Sequence, residues 1–131
     1  SLEAVKALCE MGISIGIGTD MTTRMQYEKL EHLGFAPYIS HIVTSQEAGF
    51  EKPHPEVMAL CVRKAGCAPE ECVFVGDTFK KDVLGALDAG MHAVWYNVKE
   101  KALPENVDLA GKEYQEIRHF DELVPYIKSL A

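Results

Sequence analysis

Cys72-Val73-Phe74-Val75-Gly76-Asp77-Thr78-Phe79-Lys80-Lys81-Asp82-Val83-Leu84-Gly85-Ala86-Leu87 is an apolar run that breaks on a glycine and an aspartate and then changes period. Residues 72–75 predict a short buried strand, Gly76-Asp77-Thr78 a turn, and the spacing of Asp82, Val83, Ala86 and Leu87 a helix that stops at Gly90. Residues 93–96 supply the next apolar strand. Strands alternating with helices in this way imply parallel pairing, with the helices covering both faces of the sheet.

The alternation extends upstream. Leu2, Val5, Leu8 and Cys9 stand at helical spacing before Gly12, and Ile13, Ile15 and Ile17 alternate with small residues as a short strand ending at Gly18. Met25, Leu30 and Leu33 predict a second helix, capped by Thr22 or Thr23 and closed by Gly34. Residues 41–44 read as a strand and 45–53 as a loop. Residues 55–65 read as a helix with Val57, Leu60, Cys61 and Lys64 on successive turns and Gly66 beyond it. Downstream, 102–114 form a polar connection, 116–118 a short edge strand, and Asp121 opens a terminal helix. This tail is expected to cover one sheet edge, and its surface could serve a homodimer. The class is α/β with a doubly wound parallel sheet, and 131 residues fit one domain spanning 1–131.

Composition excludes several partners. Thirteen basic against twenty acidic residues leave a net charge of −7, which opposes nonspecific contact with nucleic acid or anionic lipid. The sequence has no apolar run long enough for a bilayer span and no basic, signal-like start, so no membrane partner and a cytoplasmic location are expected. The four cysteines, Cys9, Cys61, Cys67 and Cys72, match no zinc or redox spacing and are read as reduced core thiols.

In a doubly wound sheet ligands gather beyond the carboxyl ends of the strands. Gly18-Thr19-Asp20, Lys52-Pro53 and Gly76-Asp77-Thr78 all fall at such ends. Asp77 projects from a strand end whose backbone Gly76 makes adaptable, and Asp82 lies on the first turn of the following helix. Hard carboxylate oxygens there suit Mg²⁺, with Asp77 as the ligand and Asp82 orienting a metal-bound water or pairing with a lysine. The Thr19 hydroxyl and the backbone N–H groups around Thr19 and Asp20 offer a phosphate seat. Lys52 brings one positive charge to offset the anions. His54 is the one histidine near this site, whereas Trp95 and Tyr96 read as packing and Glu47 as a solvated flank of the lysine loop.

These residues resemble the second, third and fourth motifs of the haloacid dehalogenase superfamily of hydrolases. Lys52-Pro53-His54-Pro55-Glu56 is similar to its lysine motif, and Val75-Gly76-Asp77-Thr78 through Asp82, with Gly85-Ala86 and Ala89-Gly90-Met91, to its acidic motif. Asp20 stands where the family more often has asparagine. The resemblance implies a Rossmann-like core and Mg²⁺-dependent phosphoryl transfer through an aspartyl-phosphate, with Thr19, Lys52 and Asp82 in catalysis, Thr19, Asp20 and Lys52 on phosphate, and Asp77 on the metal. A small phosphorylated metabolite is the implied substrate; a dehalogenase is the less favoured member activity.

The family's nucleophile sits in an Asp-x-Asp motif. Here the six aspartates, Asp20, Asp77, Asp82, Asp88, Asp108 and Asp121, include no such pair. The resemblance therefore implies a partial core, lacking the central strand and cap, that is inactive alone and associates with an N-terminal segment. That strand is expected between the strands at 13–17 and 72–75, where its absence leaves two edges with unpaired backbone groups. Two other readings exist. A non-catalytic binding or oligomerisation module would keep the fold without the nucleophile. A signalling receiver domain uses similar residues, but it places its acidic residues first and Lys-Pro last, the reverse of the order here.

Overall fold

The computed structural model describes residues 2–13, 15–19, 41–44, 47, 49, 52 and 54–130. The helix expected at 22–34, Asp20 and most of the 45–53 loop lie outside the described residues.

Helix α1 (Leu2–Glu10) buries Ala4, Val5 and Leu8, the stripe that its periodicity predicts. The next strand is displaced from its expected place. Gly12 and Ile13 donate their N–H groups back to the carbonyls of Cys9 and Leu8, at 3.0 and 3.1 Å, so Ile13 still belongs to the helix end. Strand β1 accordingly runs Gly16–Thr19, and Thr19 is its last residue rather than the residue after it. It pairs in parallel with β2 (His41–Thr44), Gly16 opposite His41 and Thr19 opposite Thr44.

Helix α2 (Pro55–Ala65) starts where proline's missing N–H costs nothing, and His54 caps it, Nδ1 accepting the Glu56 N–H at 3.1 Å. It ends on Gly66 at φ +75°, a left-handed cap whose N–H reaches the carbonyls of Val62 and Arg63. Val57 and Met58 are its fully buried residues; Lys64 points outward and pairs with Glu47 at 2.7 Å, so neither of these two is merely solvated or core-facing.

A short 3₁₀ turn (Pro69–Glu71) leads into β3 (Val73–Gly76). The helix after it is not regular. A π-helical segment, Phe79–Leu84, runs into the single α-turn of α3 (Gly85–Asp88), where the sequence predicts one α-helix. Then come β4 (His92–Tyr96), β5 (Gln115–Ile117), a 3₁₀ turn (Phe120–Glu122) and α4 (Leu123–Ser129). β3, β4 and β5 form a parallel sheet in that order.

β4 is central, and its alternation builds two cores. Ala93 and Trp95 face Met58 of α2 with Phe79, Val83, Ala86 and Leu87. Val94 faces Leu8 of α1, Ile117 of β5 and Leu123 at the start of α4. Helices therefore cover both faces, as a doubly wound sheet requires. β3 is only half-buried along its length, against the expectation of a buried strand, because among the described residues it pairs on one edge alone. The parallel strands are split between two sheets, β1-β2 and β3-β4-β5, with no pairing between β1 and β3 among the described residues. The break lies where the sequence leads one to expect a further strand. None of the helices is long and apolar enough to cross a membrane, among the described residues.

Candidate functional site

At the carboxyl end of β3 the chain turns at Asp77 and Thr78, both exposed, before the π-helical segment carries Asp82 back underneath. Asp82 is 2% exposed, one of two buried polar or charged residues among those described. Burying a carboxylate is expensive unless its oxygens find donors. Both do: Oδ1 accepts from Lys52 Nζ at 2.7 Å, and Oδ2 accepts the Thr78 backbone N–H at 3.1 Å. The ammonium also lies 5.9 Å from the centre of the Phe74 ring on β3, within cation–π range. Of the two roles left open for Asp82, the geometry favours the ion pair with Lys52.

Gly76 has a different purpose from the one read in sequence. A Cβ there would fall 2.2 Å from Asp82 Oδ2 and 2.3 Å from its Cβ and Cγ. Glycine is needed because the Asp82 side chain occupies that space, rather than for backbone freedom.

Asp77 is oriented by two contacts. Its Oδ1 accepts from the Thr78 hydroxyl at 3.3 Å, and its backbone carbonyl accepts the indole N–H of Trp95 at 3.1 Å. Sequence reasoning assigned Trp95 to packing alone and missed this bond; its only signal was a tryptophan at the carboxyl end of a strand. His54, the one histidine expected near this site, is engaged in capping α2.

The structure thus brings Lys52 and Asp82 into contact, with Asp77 on the turn directly above Asp82's N–H partner. Thr19 ends β1 at the carboxyl edge of its own sheet, and Asp20 lies outside the described residues. No group of three or more His, Cys, Asp or Glu side chains forms a closed metal cage among the described residues. The exposed Asp77 carboxylate fits instead a hard cation that takes one or two protein oxygens and keeps waters and substrate oxygens, as Mg²⁺ does.

The cysteines differ from expectation. All four are half-buried thiols rather than core residues. Cys67 and Cys72 lie with their sulfurs 3.2 Å apart, and burial together with that neighbour pushes the Cys72 thiol up. Burial pushes the Cys61 thiol up to about 11. A groove of about 760 Å³ between α2 and α3, lined in part by Ala59, Val62, Leu84 and Ala89, includes none of Lys52, Asp77 or Asp82.

Comparison with known proteins identifies the family. The profile of the haloacid dehalogenase-like hydrolases matches residues 1–90. The chain is 35% identical over 132 aligned residues to the glyceraldehyde 3-phosphate phosphatase of Methanocaldococcus jannaschii, covering 99% of this chain and 56% of that protein. A phosphatase of the same family from Thermococcus onnurineus superposes with a TM-score of 0.83 at 30% identity, over 95% of this chain and 55% of that one. The magnesium-bound hydrolase YfnB of Bacillus subtilis shares the fold, with a TM-score of 0.80 at 24% identity over 96% of this chain and 52% of that one. The chain spans about half the length of these relatives. With the Lys52–Asp82 pair and Asp77 set at the end of a parallel strand and the profile matched across both motifs, the chain belongs to the haloacid dehalogenase-like hydrolase family.

Proposed function

We propose that the protein to which this chain belongs is a Mg²⁺-dependent phosphatase acting on a small phosphorylated metabolite, with the aspartate nucleophile supplied from outside residues 1–131. The observation that carries this reading is the 2.7 Å pair between Lys52 and buried Asp82, one residue turn below an exposed carboxylate at a strand's carboxyl end. Lys52 presents a fixed ammonium to an incoming phosphoryl group and offsets the charge that grows on its oxygens. Asp82 holds that ammonium in place and, through the Thr78 N–H, also steadies the turn that carries Asp77. Asp77 would hold the metal. Mg²⁺, when bound, supplies charge neutralisation to the phosphoryl oxygens. Thr19 and the backbone around Asp20 would seat the remaining phosphate oxygens. Sugar phosphates are the first substrates to try, since the Methanocaldococcus relative is named for glyceraldehyde 3-phosphate.

The test is phosphate release by the full-length protein from p-nitrophenyl phosphate and a panel of sugar phosphates, with and without Mg²⁺. Activity should require the metal and fall to background in Asp77→Ala and Lys52→Ala. Undiminished turnover in both variants would defeat the reading. Residues 1–131 alone are expected to release no phosphate.

A further inference from the structure

Trp95 does more than fill the core. The carbonyl of Asp77 and the N–H of Thr78 belong to one peptide unit, and both ends of that unit are bonded to side chains. Its oxygen accepts the Trp95 indole N–H at 3.1 Å and its N–H donates to Asp82 Oδ2 at 3.1 Å. A planar peptide held at both ends resists rotation, which restrains ψ of Asp77 and φ of Thr78 and so the Cα from which the Asp77 carboxylate projects, while the Thr78 hydroxyl holds its Oδ1. The need for such a bond follows from the sheet. The β3–β4 ladder stops with Gly76 opposite Trp95, while Asn97, just beyond β4, donates its N–H to Ile117 of the far strand at 2.8 Å. The Asp77 carbonyl is thus the first acceptor past the end of the ladder, and the side chain of the residue opposite Gly76 reaches it instead of the backbone.

The indole is itself held. Trp95 is 3% exposed, with Phe79 packed edge-on at 5.0 Å and 73° and Tyr114 at 6.4 Å. Phe79 opens the π-helical segment, so one aromatic cluster grips the turn on both sides: the indole at Asp77 and the Phe79 ring immediately after Thr78. We infer that Trp95 is a positioning residue, whose N–H locks the Asp77–Thr78 peptide and so preorients the Asp77 carboxylate toward the cation it would bind. The inference takes the metal role of Asp77 from the proposed function.

Trp95→Phe in the full-length protein keeps an aromatic ring against Phe79 and Tyr114 but deletes the donor. Two measurements decide. The first needs no metal: the Thr78 amide, followed by hydrogen exchange, should exchange about tenfold faster in Trp95→Phe, the loss of one net hydrogen bond's constraint. The second is Mg²⁺ affinity by calorimetry, which should weaken about five- to tenfold, with kcat returning to near the wild-type value at saturating Mg²⁺. Packing loss alone would lower the melting temperature without this split between metal affinity and kcat. Wild-type exchange at Thr78 in the variant overturns the inference whatever the metal does. Wild-type Mg²⁺ affinity in Trp95→Phe overturns it too, provided Asp77→Asn abolishes binding. If Asp77→Asn still binds Mg²⁺ normally, the metal assignment falls, and the exchange measurement alone upholds or overturns the locking of the turn. A third variant, Trp95→Leu, guards against a folding failure, since it has no donor at all while keeping a large apolar side chain, and should show the same faster exchange.

Discussion

Replacing Gly76 with alanine tests the packing on which the candidate site depends. The new Cβ would fall 2.3 Å from Asp82 Cβ, an atom fixed to the backbone of the π-helical segment rather than the far end of a flexible chain. Carbon atoms need about 3.5 Å, so that segment must retreat by about 1 Å. A retreat of that size stretches the 2.7 Å Lys52–Asp82 contact and the 3.1 Å bond from Thr78 N–H past hydrogen-bond range. Overpacking costs about 1–3 kcal/mol, and separating a buried charge from its partner about 3–5 kcal/mol. The expected loss for Gly76→Ala is at least about 4 kcal/mol, or roughly 10 °C or more in Tm for a protein the length of its relatives. Thermal unfolding and phosphatase assays of the full-length protein read both effects. Gly66→Ala is the control: that glycine has φ +75° with nothing within 4 Å of a Cβ, so the change costs only about 1–2 kcal/mol of left-handed strain and should leave activity intact. A Gly76→Ala protein that melts within about 2 °C of wild type and keeps its activity would refute the packing argument.

Lys52→Met should destabilise by about 3–5 kcal/mol in urea unfolding, because it leaves Asp82 buried at 2% exposure without its cation. Adding Asp82→Asn should restore part of that stability but no activity; equal and additive losses would mean the two residues do not interact. His54→Ala removes the acceptor for the Glu56 N–H and should cost about 1 kcal/mol, visible as faster amide exchange in the first turn of α2. Stability should decline as pH rises from 9 toward 11. In that window the unfolded Cys61 thiol, at its usual 9.0, gives up its proton while the folded one, pushed up to about 11 by burial, keeps it. The unfolded state then binds fewer protons and is favoured. Urea midpoints across this range under reducing conditions should lose part of their slope in Cys61→Ala, the rest coming from Cys72, whose thiol is also pushed up, and an unchanged slope would remove Cys61 from the account.

Much of this was legible in the sequence because the signals were local. Gly66 and Pro55 bound α2 as their backbone preferences dictate, and the unbroken apolar run of Ala93, Val94 and Trp95 marks a strand buried on both faces. The rule that loops at strand ends converge puts Lys52 and Asp82 at one site, and the two meet at 2.7 Å. What was not legible depended on contacts that residue type and period do not announce, most of them local and one, from Trp95, across the sheet. Ile13 looks like strand in a run of alternating isoleucines, yet its N–H completes the end of α1. Asp82, Val83, Ala86 and Leu87 fit an α-helical period, and nothing in their identity announces the wider π turn that starts at Phe79. Gly76 reads as a flexible hinge until the carboxylate packed against it is seen. Trp95 reads as core until its edge is found on the Asp77 carbonyl.

The placement of one buried ion pair also bears on how the site works. An apolar pair of similar size would hold these elements together as well as or better than Lys52 and Asp82 do, since desolvating two charges offsets most of their attraction. The pair is therefore poorly explained by stability. It is better explained by order: a lysine side chain left in water gives up about 2 kcal/mol of rotamer entropy when it is fixed on a ligand. Here that entropy is already lost on folding, because Asp82 holds the ammonium at 2.7 Å and Phe74 lies beneath it. The same carboxylate spends its second oxygen on the peptide that carries Asp77. One buried residue thus ties the Lys52 ammonium and the turn that carries the exposed Asp77 carboxylate to the same point, which limits how far the two can drift apart.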